Sequence, residues 1–152
     1  MKLAEALSLR KDLEKRISGL KDRLENVARI QEGEEPSENP EELMTELDRC
    51  LEQLEQLIYN INVTNVKIVC EDGRTMTKLL SERDILNKRI SILRNTFDHA
   101  SGSANRYCRS EVRMVTTIDV KSLRQKLDKH SLQYRQLDMM IQMLNFTNDL
   151  IE

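Results

Sequence analysis

Apolar residues recur along most of this chain at alternating steps of three and four, the spacing that keeps one helix face against a partner. The longest line lies in the last third: Val120, Leu123, Leu127, His130, Tyr134, Leu137, Ile141, Leu144, Asn148 and Ile151. It predicts a helix over about 119–150, roughly 45–50 Å long at 1.5 Å per residue. Leu3, Ala6, Arg10, Leu13, Ile17, Leu20, Leu24 and Val27 predict a first helix over about 2–31. Gly19 falls off that line and costs ~1 kcal/mol relative to Ala. Leu43, Leu47, Leu51, Leu54, Ile58 and Ile61, widened by Cys50 and Leu57, predict a second over 40–64. A third, capped by Thr77 and spanning 77–100, carries Leu79, Leu86, Ile90, Leu93 and Phe97. Arg83 also falls on its seam, where a structural ion pair across the bundle is expected; the alternatives are snorkelling or a ligand contact.

The breaks between these lines are as informative. Gly33 and Pro36 end the first helix, and Asn39-Pro40-Glu41-Glu42 opens the second with an N-cap, a first-turn Pro and acids at the positive dipole end. The second helix should fade at Asn62-Val63-Thr64-Asn65, where Asn and Thr compete with helical hydrogen bonding. Val66-Lys67-Ile68-Val69-Cys70 is β-branched and meets Asp72-Gly73, a hairpin signal, so a small β-hairpin is expected over 66–76. A short strand is expected near 111–116, and Thr117 or Asp119 should cap the last helix. The fold class is therefore mainly α: one domain, 1–152, forming an elongated antiparallel helical bundle or coiled coil of about four helices.

Composition narrows the class. Charged residues make up 33% of the 152 and aromatics 3%, without Trp, which suits aliphatic seams between solvated faces. The net charge of −2, from 24 basic and 26 acidic side chains, gives no global case for nucleic acid. Cys50, Cys70 and Cys108 show neither CxxC nor Cys/His spacing, so neither a zinc site nor a disulfide framework is expected, and no metal or cofactor. No signal-peptide core and no run near the ~20 apolar residues of a membrane span is present. A cytoplasmic protein is the simplest expectation.

Three places could carry chemistry. Arg106, Tyr107, Arg109 and Arg113 could hold a phosphate or carboxylate or stack on bases; neutralisation by the acidic segment 32–42, with its six Glu, is the expected alternative. Asn62-Val63-Thr64-Asn65 is echoed by Asn145-Phe146-Thr147-Asn148. Asn62, Asn65, Asn145 and Asn148 are thus expected to form a polar layer that fixes register. His130, alone on an apolar seam, is expected to be a hydrogen-bonded core residue, with no nucleophile or carboxylate at a partnering distance.

The order of features resembles an uncharacterised bacterial family called septicolysin-like. The stretches that carry it are the MKLAEAL start, Asn39-Pro40, INVTN with DGRT, SERD, RYCRSE, TIDV and the closing NFTN, over nearly the whole chain. Phe146 stands where Trp is expected, and no Pro precedes Thr117. The resemblance implies a cytolysin by name, but no catalytic residue to carry across. Cholesterol-dependent pore formers are larger β-rich proteins with a Trp-rich membrane-contacting segment. The expectation is a non-enzymatic, self-associating structural or protein-interaction protein, a homo-oligomer; a membrane-active protein and an anion or nucleic-acid binder through 106–113 are the alternatives.

Overall fold

A computed structural model describes residues 1–102 and 115–151. Four helices follow in order: α1 Leu3–Val27, α2 Pro40–Lys67, α3 Met76–Ala100 and α4 Val120–Thr147. Among the described residues no strand forms; the bridge positions are Lys2, paired antiparallel with Asp149, and Val69 and Thr75, on either side of the Asp72-Gly73 turn. The helical architecture agrees with the hydrophobic pattern.

The starts of the helices follow side-chain chemistry. Asn39 accepts from the Glu41 amide at 3.0 Å, with Pro40 as the first helical residue. Asp119 caps α4, its Oδ1 accepting from the amides of Lys121 (3.0 Å) and Ser122 (3.2 Å). Thr75, not Thr77, caps α3, accepting from the Lys78 amide at 3.3 Å. Each cap satisfies an amide that has no partner within its helix.

The expected hairpin over 66–76 is corrected. Val66 and Lys67 are the last turn of α2, and Met76 is the first residue of α3. Ile61 and Thr64 continue the buried line of α2, and that burial carries the helix through Val66 and Lys67 despite their neighbours' β preference; Ile68, also buried, is the extended residue that follows the helix. Asp72-Gly73 still makes a turn. The Cys70 carbonyl accepts from the Gly73 amide at 2.9 Å, and the Cys70 amide donates to the Arg74 carbonyl at 2.8 Å. Gly73 supplies the positive φ, 84°, that closes this three-residue loop. Of the strand expected at 111–116, residues 111–114 lie outside the described residues, and Val115 and Thr116 are not in a strand.

The chain divides into two units, Met1–Val69 with Leu144–Glu152, and Cys70–Met143. In the first unit α1 packs on α2. Arg16 meets Glu46 at 2.6 Å and Arg23 meets Glu38, so one partner's number falls as the other's rises, and the helices are antiparallel. Leu3, Ala6, Leu13, Leu20 and Val27 of α1 are buried, as spaced in the sequence. On α2 the buried line is Leu43, Cys50, Leu57, Ile61 and Thr64. Cys50 and Leu57 thus lie at its centre, while Leu51, expected inside, is 45% exposed.

In the second unit α3 and α4 are antiparallel by the same reasoning. Arg83 reaches Asp138 at 3.6 Å, and the Arg124 guanidinium lies 6.0 Å from the centre of the Phe97 ring. The first contact is the ion pair expected of Arg83; the second is at the outer range of a cation–π interaction. Leu79 and Ile90 of α3 and Leu123 and Ile141 of the α4 line are buried. Only Leu123 of that α4 pair lies at the end of α4 close to the Phe97 contact.

Three exposed carboxyls sit below their ordinary range. A hydrogen bond from Arg23 lowers Glu38, one from Arg74 lowers Asp72, and one from Lys2 lowers Asp149. Unfolded, these groups would titrate near ~4. Because the folded values are lower, their contribution is complete above about pH 4 and is lost as pH falls through the folded values. Solvent screening keeps it small. We expect the melting temperature to be level from pH 7 to 5 and to fall below about pH 4. The triple variant Glu38→Gln/Asp72→Asn/Asp149→Asn should fall less over the same acid range, measured by circular dichroism; an equal fall would contradict the assignment.

Candidate functional site

The most heavily bonded place in the first unit joins the two ends of the chain to α2. The Leu3 amide donates to the Asn148 carbonyl at 3.0 Å, and the Leu150 amide to the Met1 carbonyl at 2.9 Å. Lys2 Nζ reaches Asp149 Oδ1 at 2.9 Å and the Thr147 carbonyl at 3.1 Å. Thr64 lies under this clasp, fully buried. Its hydroxyl donates to the Asn60 carbonyl at 2.7 Å and accepts from the Ile151 amide at 2.9 Å. With both roles filled, Thr64 does not compete with the helix, and α2 runs past Asn62–Asn65 instead of fading there.

The two echoed motifs are therefore joined, but through Thr64 and the tail that follows Asn148. Asn145 is buried, Asn65 and Asn148 are half-buried, and Asn62 is exposed. Asn148 Nδ2 donates to the Leu144 carbonyl at 2.9 Å, capping the end of its own helix. The side chain that joins the two segments is Thr64, a residue type equally at home where a helix fades.

In the second unit, Arg74 is bracketed by Asp72 at 2.6 Å and Glu82 at 2.5 Å. Those two carboxylates raise its guanidinium pKa further above the usual range, Asp72 contributing most. The bracket ties the Cys70–Gly73 turn to α3. Burial, chiefly, pushes the Cys70 thiol up, so it is held as a thiol and not as a nucleophilic thiolate. Cys50 is a buried free cysteine. His130 is half-buried, its Nδ1 2.9 Å from Gln133 Oε1. Among the described residues no group of three His, Cys, Asp or Glu could hold a metal ion.

Arg106, Tyr107, Arg109 and Arg113 lie outside the described residues. Within the acidic segment 32–42, Glu38 is taken by Arg23 of α1, in a paired contact from Nε and Nη2.

A second feature was not anticipated: apolar residues on faces turned away from the buried lines. On α4, Leu132, Met139 and Phe146 recur every seven residues and are all exposed, Met139 to 73%. At 100° per residue they lie opposite Leu123, Tyr134 and Ile141. On α3, Ile85 (57%) and Ile92 (65%) form a similar pair. Met44, Leu51, Tyr59 and Val66 form a third line along α2.

A family of unknown function, DUF6847, matches residues 10–150. The chain belongs to DUF6847. It is also similar to a functionally unknown conserved protein from Corynebacterium diphtheriae, known from a crystal structure, with 39% identity over 99% of each chain and a TM-score of 0.95. No curated protein matches. Membership of DUF6847 thus fixes the relationship and the fold, and it assigns no chemistry.

The outward lines of this DUF6847 chain had a sequence signal, since Leu132, Met139 and Phe146 keep a strict seven-residue step. They were masked by the stronger seam on the opposite face. For the clasp, Thr64→Val leaves the Ile151 amide without its acceptor and should cost about 1–3 kcal/mol in denaturant unfolding. Thr64→Ser, which keeps the hydroxyl, should recover most of that. A Val variant as stable as the parent would show that the clasp is incidental.

Proposed function

We propose that this chain is a non-enzymatic, self-associating cytoplasmic protein whose role is structural or one of protein interaction. The observation that supports it best is the second apolar line on each of α2, α3 and α4. Single exposed apolar residues are ordinary on any protein surface. Lines at helical spacing, facing away from the chain's own core, are the pattern of helices that pack on a further helix. Water exposure of Leu132, Met139 and Phe146 together is a cost that association removes.

Other chemistry has weaker support. The described polar clusters are saturated: Arg74 by Asp72 and Glu82, Thr64 by Asn60 and Ile151. No helix among the described residues is long and apolar enough to cross a membrane. The line on α2 is interleaved with Asp48, Glu52 and Glu55, which anionic headgroups would repel.

Self-association makes unfolding depend on protein concentration, because the assembled state is diluted away. Across about a hundredfold range of concentration the melting temperature should rise by a few degrees. A melting temperature independent of concentration would contradict the proposal.

A further inference from the structure

The charges that flank two of the outward lines are segregated by sign. From Leu51 to Val66, α2 carries Glu52 and Glu55 and no Lys or Arg; Asp48 and Arg49 precede them one turn earlier, Arg49 about a third of a turn away from the outward line. On α3, Lys88 and Arg89 flank the line of Ile85 and Ile92 on its two sides, with no Asp or Glu between Ile85 and Phe97; Asp84 and Asp98 stand just beyond, about a quarter turn or more from the line. Glu52, Glu55, Lys88 and Arg89 are all exposed, and none takes part in an ion pair among the described residues. Both faces are thus apolar along the middle and charged at the flanks, one negative and one positive. Alongside Ile85 and Leu86 runs a shallow groove of about 300 Å³, edged by Lys78, Glu82 and Arg89. It has room for one large side chain.

We infer that the acidic outward face of α2 docks on the basic outward face of α3 in a second copy of the chain. Leu51 and Tyr59 would supply the apolar contact to Ile85 and Ile92, with Glu52 and Glu55 against Lys88 and Arg89. This inference rests on the self-association proposed above and names the surfaces that carry it. The second copy is the occupant because one chain presents both complementary faces, each left uncovered. Opposed charge along an apolar seam is how paired helices select partner and orientation. Every copy offers one face of each sign, so each can both give and receive the contact.

The test uses two charge reversals in the full chain, Glu52→Lys/Glu55→Lys and Lys88→Glu/Arg89→Glu, with helicity checked by circular dichroism. Sedimentation equilibrium at low salt should show each variant alone associating at least about tenfold more weakly than the parent, since like charges then face each other. Mixed one to one, the variants should associate again, because each α2 then meets an α3 of opposite sign. The four substitutions combined in one chain should restore self-association for the same reason. A parent that stays monomeric at micromolar concentration would overturn both this contact and the proposed function. A parent that associates while both reversals leave its affinity unchanged would overturn the contact alone. Weakening without recovery on mixing would also overturn it, since a loss confined to each chain's own fold is not repaired by a partner.

Discussion

A helix packed in an antiparallel pair can bury one stripe of its surface, and that limit shapes this protein more than any single contact does. In the first unit α1 and α2 spend it on Leu3–Val27 and on the line from Leu43 through Cys50, Leu57 and Ile61. In the second, Arg83–Asp138 and Arg124 over Phe97 mark the antiparallel pairing of α3 and α4. What lies outside those stripes must be soluble or find another surface. On α1 it is mostly charged, with Leu9 the one large apolar residue exposed. On α2, α3 and α4 it includes a second apolar line, which is why function is sought on the outward faces.

Polar groups do the work of closing ends. Thr64 is the most economical example, since one buried hydroxyl completes an intrahelical bond and receives the Ile151 amide. Around it, Lys2 and Asp149 pair at the surface where N- and C-terminal segments meet. Arg74 does the equivalent for the turn into α3, and Glu38 with Arg23 for the turn into α2. These are positioning contacts with their valences filled, which leaves little free polar chemistry for a ligand.

The seams of α1 and α4 could be read residue by residue from the sequence because each has a single apolar line there strong enough to dominate. The line on α2 was misplaced by part of a turn. Leu43, Leu47, Leu51, Leu54 and Leu57 populate two adjacent stripes, and spacing alone does not say which is buried; packing chose Cys50 and Leu57 over Leu51. The hairpin expected after α2 failed for a related reason. β-Branched residues favour strands on average, yet the buried line through Ile61 and Thr64 carries α2 on to Lys67, and only from Ile68 is the backbone extended. Thr64, within the first of the two echoed motifs, is the side chain that receives the Ile151 amide. Arg106, Tyr107, Arg109 and Arg113 lie beyond the described residues.

The central claim is that the outward apolar lines are covered when the protein is assembled, and methyl NMR with a soluble paramagnetic agent measures that cover directly. Ile90, buried within the second unit, serves as the internal reference. At high protein concentration the methyl groups of Ile85, Ile92 and Leu51 should be as shielded as those of Ile90, becoming accessible on dilution while Ile90 stays protected. Methyl groups of Ile85, Ile92 and Leu51 that are strongly broadened by the agent at every concentration would contradict the account.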